Sequence, residues 1–377
     1  MLYRKMNNKT PELSILGFGC MRLPVTPEGK IDEPHATKML RYAIDNGVNY
    51  VDTAWPYHGG ESEPFVDRAL SGGYREKVHI ATKLPSWLIT SRSDMDKYLN
   101  EQLVRLKTDH IDYYLVHGLN AIFWENLSGL GITDFLNDAM DDGRIRHAGF
   151  SFHDNVPVFK KIVDAYDWTF TQIQYNFMDE QYQAGTEGLH YAAKKGLGIV
   201  VMEPIRGGLL GRDISGVREI WQTATTHRTP AEWALRWVWN HPEVTVVLSG
   251  MSSMDQVKEN VALADAGLAG SLTKSELSLY GKVKKELEQR VMIPCTNCGY
   301  CMPCPNGVNI PICFEEFNKG NIYEAKEQAT QRYQMLCGGF FDNQPHFATL
   351  CRECEEKCPQ GLPIQKHLKQ VAEYFGK

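Results

Sequence analysis

Cysteine is almost missing from most of this 377-residue chain: of its 10 cysteines only Cys20 precedes residue 295. A disulfide framework would not leave so long a stretch bare, so the nine clustered at the end suggest a separate metal-binding unit in a reducing compartment. No apolar run approaches the roughly 18 residues that a membrane-spanning helix needs. The stretch Met1–Thr10 has no apolar core of the signal-peptide kind, so a cytoplasmic protein is expected. There is no excess of basic residues either. Lys and Arg total 40 against 46 Asp and Glu, a net charge of -6, which argues against nucleic-acid binding through bulk charge. No low-complexity segment occurs. Hydrophobic residues make up 43% and charged residues 23%, so neither a disordered nor a collagen-like chain is possible.

What is there has a period. Short apolar runs alternate with helical patterns from about residue 13 to 265. Strands are expected at Ser14–Gly19, Tyr50–Ala54, Val78–Lys83, Ile111–His117, Ile145–Ser151, Thr171–Phe177, Gly198–Glu203 and Val244–Ser249. Several, such as Ile199-Val200-Val201-Met202, are continuously apolar, as in parallel strands buried on both faces. Helices are expected at Ala36–Asn46, Asp94–Leu106, Ile132–Asp142 and Pro230–Asn240, the last with Thr229 as cap and Pro230 in the first turn. Eight strand–helix units predict an α/β fold, a (β/α)8 TIM barrel. A doubly wound sheet is the rival, but no GxGxxG follows the first strand. The expected domains are a barrel over 1–272, a linker helix over 273–293, and a small α-helical ferredoxin-like iron–sulfur domain over 294–377.

In such a barrel the chemistry lies at the C-terminal strand ends. Those ends carry Asp52, Lys83, His117, Ser151, Gln172 or Asn176, and Glu203, with Tyr57 in the loop after Asp52. Four of them form a proton-transfer set. A tyrosine with a pKa near 10 is too weak an acid at neutral pH, and a neighbouring ammonium lowers that value. Tyr57 would donate the proton, Lys83 would tune it, Asp52 would hold Lys83, and His117 would orient a carbonyl. Each alone has a plainer reading: a helix cap, a loop aromatic, a solvated lysine, a core histidine. Four at successive strand ends read better as one site.

These residues also sit in longer motifs. Gly47-Val-Asn-Tyr-Val-Asp52-Thr-Ala-Trp-Pro-Tyr57, Ala81-Thr-Lys83, Asp112-Tyr-Tyr-Leu-Val-His117, Gly149-Phe-Ser151 and Gln172-Ile-Gln-Tyr-Asn176 resemble the aldo/keto reductase family, in family order. The resemblance implies reduction of a small-molecule aldehyde or ketone with NADP(H), less often NAD(H). It implies that Asp52, Tyr57, Lys83 and His117 are catalytic. Ser151 and Gln172 would bind the nicotinamide carboxamide, and Gly207, Gly208 and Leu209 the pyrophosphate. Gly250, Ser252, Gln256, Glu259 and Asn260 would line the adenosine-phosphate segment, where a helix N-terminus suits a phosphate. The sequence departs from the pattern at four places. Met202 replaces a ring that stacks on nicotinamide, Phe152 an Asn, and Gly118 a Trp. Gln256 stands where an Arg that reads the 2′-phosphate is common. Trp55, His58, Trp87, Trp124 and Phe152 are candidate pocket walls.

The tail carries Cys295-x2-Cys298-x2-Cys301-x2-Cys304-Pro305, then Cys351-x2-Cys354-x3-Cys358-Pro359. Constant spacing followed by Pro suits a cubane better than the two separated pairs of structural zinc. Both segments resemble bacterial ferredoxins. By the ferredoxin rule Cys295, Cys298 and Cys301 pair with Cys358, leaving Cys304, Cys351 and Cys354 for a second cluster, with Cys337 or Cys313 as its last ligand. One or two [4Fe-4S] clusters are therefore expected. The domain order resembles the ferredoxin-tailed subgroup of the family. The alternative function is electron transfer or redox sensing among nicotinamide, clusters and a redox partner protein, although hydride carries two electrons and no flavin motif is present to split them.

Overall fold

The computed structural model describes residues 1–8, 10–339 and 353–376. They form two compact units, one of residues 1–208 with 231–272, the other of residues 209–230 with 273–377.

The first unit opens with a hairpin, β1 (Tyr3–Lys5) paired antiparallel with β2 (Glu12–Ser14). Eight parallel strands then close into a barrel. They are β3 (Leu16–Gly19), β4 (Tyr50–Asp52), β5 (His79–Leu84), β6 (Ile111–Leu119), β7 (Ile145–Phe152), β8 (Phe170–Gln174), β9 (Gly198–Met202) and β10 (Val244–Ser249). β10 pairs with β3, matching Leu248 with Gly17, and the ring is complete. Buried β-branched and aromatic side chains explain the strands: every residue of β10 is buried. Inside the ring Tyr50, Tyr113, Phe170 and Val246 pack together, and the hairpin adds Met6 and Leu13 to the same cluster.

Several helices between the strands start at side-chain caps. Helix α1 (Glu33–Asp45) is capped by Asp32, whose carboxylate accepts from His35 N at 3.2 Å. It therefore begins three residues before the expected Ala36. The expected Thr171–Phe177 strand stops at Gln174, because Asn176 Oδ1 accepts from the N–H groups of Met178 and Asp179 and turns the chain. Further helices are α2 (Ser62–Ala69), α3 (Arg92–Arg105), α4 (Ala121–Gly129), α5 (Ile132–Asp141), α6 (Val156–Asp164) and α7 (Gly185–Lys194).

After these come α8 (Val217–Gln222), α9 (Pro230–Trp239), α10 (Met254–Leu263) and α11 (Lys274–Glu288). In the second unit α11, opened by a Thr273–Glu276 capping box, packs on α8 with Trp221 against Tyr280. So the expected linker helix has a partner, from a segment expected in the barrel and found in the second unit. The remaining helices are α12 (Ile310–Ile322), α13 (Lys326–Tyr333), α14 (Glu353–Glu356) and α15 (Ile364–Phe375). Phe314, Phe317, Tyr333, Val371 and Phe375 form their core. Among the described residues no helix is long and apolar enough to cross a membrane.

Candidate active site

The C-terminal ends of the strands surround a cleft of about 820 Å³. Its lining includes Asp52, Tyr57, His117, Ser151, Gln172 and Met202. Parallel pairing aligns the strand ends in space, which is why residues 52 to 202 of the sequence meet here.

Lys83 is fully buried at the end of β5. Its Nζ donates to Asp52 Oδ1 at 2.8 Å and to the Thr53 carbonyl at 2.7 Å, and lies 3.4 Å from the Tyr57 hydroxyl. The His117 ring stands edge-on to Tyr57, with centroids 6.3 Å apart. Burial pushes the Asp52 carboxyl pKa up, and the Lys83 ammonium opposes it. Burial works against the Lys83 ammonium, yet Asp52 and Tyr57 hold its pKa above the ordinary value. The pair is an ion pair.

Tyr57 corrects an expectation. Burial raises its pKa, Lys83 lowers it, and the net direction is upward. Desolvation of a phenolate outweighs one ammonium already shared with a carboxylate. His117 is pushed well below the imidazole range, first by burial and then by Lys83 and His153. It is neutral. Its buried Nδ1 has no partner.

Gln172 and Ser151 are nearly inaccessible, at 2% and 1% exposure. Ser151 Oγ accepts from Gly118 N at 2.7 Å, and Gln172 Nε2 reaches Met202 Sδ at 3.6 Å. Gln172 Oε1 is buried without a partner. That orphan acceptor and the Ser151 hydroxyl proton fit a carboxamide, which offers one N–H donor group and one acceptor. Asn176, by contrast, is spent on its own loop and on the Glu203 carbonyl.

Gly207 and Gly208 have φ of 65° and 92°, a conformation that glycine adopts without strain. A Cβ on Gly207 would lie 3.0 Å from Arg22 Nη2, and one on Gly250 would lie 3.1 Å from Arg22 Cδ. Arg22 thus lies between two glycines, and its Nη2 reaches Glu203 Oε1 at 3.3 Å. Sequence reasoning missed Arg22, three residues beyond the end of β3. Leu209 is buried and belongs to the second unit. Ser253 caps α10, Asn260 donates to Ser249 Oγ at 3.0 Å, and Glu259 lies one residue before it on that helix. Gln256 Oε1 turns back to accept from Ser252 N at 2.8 Å, so it closes the turn.

Of the candidate walls, Trp87 stands by His117, with centroids 5.1 Å apart. Trp55 is sandwiched between Tyr98 and the Arg105 guanidinium. Trp124 and Phe152 are buried in aromatic packing, and His58 follows Tyr57 with φ 51°. His153 lines the cleft and was not foreseen.

In the second unit Cys295, Cys298, Cys301 and Cys358 line one small apolar pocket with Phe314 and Leu362. Cys354 is buried, and Cys304 is close enough to raise its pKa after desolvation. Cys337 Sγ stands 3.4 Å from Cys313 Sγ, both buried. Cys351 lies outside the described residues. Among the described residues no three His, Cys, Asp or Glu side chains converge tightly enough to hold a single metal ion.

A family model described as "Aldo/keto reductase family" matches residues 15–271. The oxidoreductase YqkF of Bacillus subtilis is 24% identical over 319 residues, covering 76% of this chain and 98% of the relative. Among solved structures, the holo form of an aldo-keto reductase from Bacillus halodurans is 27% identical. It superposes with a TM-score of 0.63 over 75% of this chain and 96% of its own. A Klebsiella pneumoniae aldo-keto reductase in complex with NADPH, 21% identical, shares the fold with a TM-score of 0.61 over 75% of this chain and 96% of its own.

Proposed function

The chain belongs to the aldo/keto reductase family and is an NAD(P)H-dependent oxidoreductase, and we propose that it reduces an aldehyde or ketone with Tyr57 as the proton donor. The observation that carries this reading is the buried Lys83 ammonium, held by Asp52 at 2.8 Å and set 3.4 Å from the Tyr57 hydroxyl.

When bound, the nicotinamide supplies a hydride to the carbonyl carbon. Gln172 Oε1 and the Ser151 hydroxyl hold its carboxamide, with Met202 beside them. Gly207 and Gly208, together with Gly250, Ser252, Gln256, Glu259 and Asn260, would serve the phosphates and adenosine. NADP(H) is the cofactor that the Klebsiella neighbour binds, and NAD(H) stays open, because Gln256 offers no cation. His117 Nε2 donates to the carbonyl oxygen and fixes its direction. Tyr57 gives its proton to that oxygen as negative charge develops there, and Lys83 stabilises the phenolate that remains. Solvent then reprotonates Tyr57. Asp52 keeps Lys83 charged and aimed.

We further infer that residues 294–377 form the iron–sulfur domain, following a barrel domain through 272 and a helix over 273–293. Cys295, Cys298, Cys301 and Cys358 would hold one [4Fe-4S] cluster in their apolar pocket. Ligands of a cubane each take a different iron, which suits four thiols around a pocket better than a single tetrahedral ion would. Cys304, Cys351 and Cys354 would serve a second cluster, with Cys337 or Cys313 completing it.

One anaerobic experiment tests the whole reading. Oxidised protein is mixed with NADPH or NADH, with and without a reactive aldehyde, while nicotinamide and cluster absorbance are followed together. Nicotinamide loss only with aldehyde, clusters staying oxidised, is the expected result. Cluster bleaching without aldehyde overturns it and points to electron transfer to a partner. Tyr57→Phe should lower aldehyde turnover by about 10²–10⁴-fold.

A further inference from the structure

His153 is the cleft residue that the proton-transfer set leaves unused. It follows directly on β7, whose Phe152 pairs with Leu119 at the end of β6. Its own N–H donates to the Leu119 carbonyl at 2.9 Å. The backbone is therefore tied to the two strands that carry His117 and Ser151. Gly118 lies between His117 and Leu119, and the nearest atom that a Cβ there would meet is His153 Cδ2, at 3.9 Å. With no side chain at 118, the second imidazole has open access to the space beside the first.

The ring is also oriented. Its Nδ1 lies 3.2 Å from Gln183 Oε1. Gln183 has φ 55°, a left-handed conformation that strains a residue with a side chain. With the amide oxygen as acceptor, Nδ1 carries the proton and Nε2 keeps a lone pair. Although the residue is exposed, desolvation pushes its pKa below the ordinary value, ahead of the opposing pull of Gln183 and Glu203. His153 thus meets a substrate as a neutral acceptor, beside a carboxylate on Glu203 that already holds Arg22. An acceptor selects a donor. A substrate hydroxyl satisfies it, whereas a carboxylate does not.

We propose that His153 is a specificity-determining residue, which accepts a hydrogen bond from a hydroxyl adjacent to the substrate carbonyl. This rests on the carbonyl-reductase reading. His117 then grips the carbonyl oxygen as a donor while His153 grips the neighbouring hydroxyl as an acceptor. The favoured substrates are hydroxyaldehydes or hydroxyketones, ahead of plain alkyl carbonyls and 2-oxo acids.

The test compares kcat/KM for lactaldehyde and propanal, which differ by one hydroxyl, in the wild-type chain, His153→Phe and Gln183→Met. A hydrogen bond lost to a neutral acceptor amounts to roughly tenfold. The wild-type ratio should favour lactaldehyde by about tenfold. His153→Phe should bring it to about one, mostly through KM, since a contact made equally in ground and transition states is uniform binding. Gln183→Met, which leaves the imidazole in place but unanchored, should give an intermediate ratio. It also keeps the test decisive if the Phe variant does not fold.

A wild-type ratio near one, or a ratio that neither variant changes, overturns the proposal. So does glyoxylate outcompeting lactaldehyde, because that order belongs to a cationic imidazolium. If the wild-type chain reduces neither aldehyde with either nicotinamide, the reductase reading itself fails, and this inference with it.

Discussion

Lys83 has its ammonium between Asp52 and Tyr57, where it lowers the phenol pKa against the larger opposite effect of burial. With burial raising the Tyr57 pKa, the phenol keeps its proton through neutral pH and beyond its ordinary pKa of about 10. His117 stays neutral, its pKa pushed well below the ordinary value of about 6.5. Reduction should therefore show no fall near the ordinary histidine pKa. It should decline only on the alkaline side, where Tyr57 loses its proton. Lys83→Met should lower kcat by about 10²-fold or more, and move that alkaline fall to still higher pH, because the one influence lowering the phenol pKa is gone. A pH–rate profile for both proteins checks the direction. An alkaline limb that moves down in the variant would show that Lys83 does not lower the phenol pKa.

At the scale of the element, the strands owe their closeness to small residues. Gly149 on β7 faces Phe170 on β8, and a Cβ there would lie 2.4 Å from the Phe170 ring. That ring is wedged against Tyr113, at 5.3 Å between centroids, and cannot retreat. Gly149→Ala should cost about 1–3 kcal/mol, read as a lower midpoint of thermal unfolding.

Asp112, in β6, offers a second check. Burial alone would push its carboxyl up, but His79, the Arg75 guanidinium at 2.9 Å and the Ile80 N–H more than reverse this and bring the pKa to about 2. A depressed folded-state pKa means stability that is present above the unfolded value of about 4 and lost as pH falls through about 2. Asp112→Asn should remove on the order of 2 kcal/mol at neutral pH and flatten that part of the acid transition, as seen by denaturant titration at several pH values. The β10 span, Val244–Ser249, was legible from sequence because all of it is buried and four of its six residues are apolar, three of them valines. The N-terminal hairpin was not, since Ser14–Gly19 reads as one run although pairing divides it at Ile15.

For the whole molecule, the tail is tested by iron. Cys295→Ser and Cys358→Ser, far apart in sequence, should each remove about four irons per chain, because one cubane holds that many. If only Cys295→Ser removes iron, Cys358 is not a ligand of the first cluster. By itself the sequence determined the barrel and the cysteine spacing, and it pointed to Asp52, Lys83 and His117 on strands with Tyr57 in the loop after Asp52. Periodicity and local motif spacing are properties of the chain alone.

Tertiary structure decided what depends on distance and desolvation. The Arg22–Glu203 pair spans 181 positions, and the two residues meet because β3 and β9 both flank β10 in the closed ring. His153 meets Gln183 through two loops that no periodicity marks. Residues 209–230 join the C-terminal unit although they lie before the last barrel strand. The direction of the Tyr57 pKa follows the same rule. The sequence shows a lysine that would lower it, and only the packed site shows that water is excluded enough to raise it.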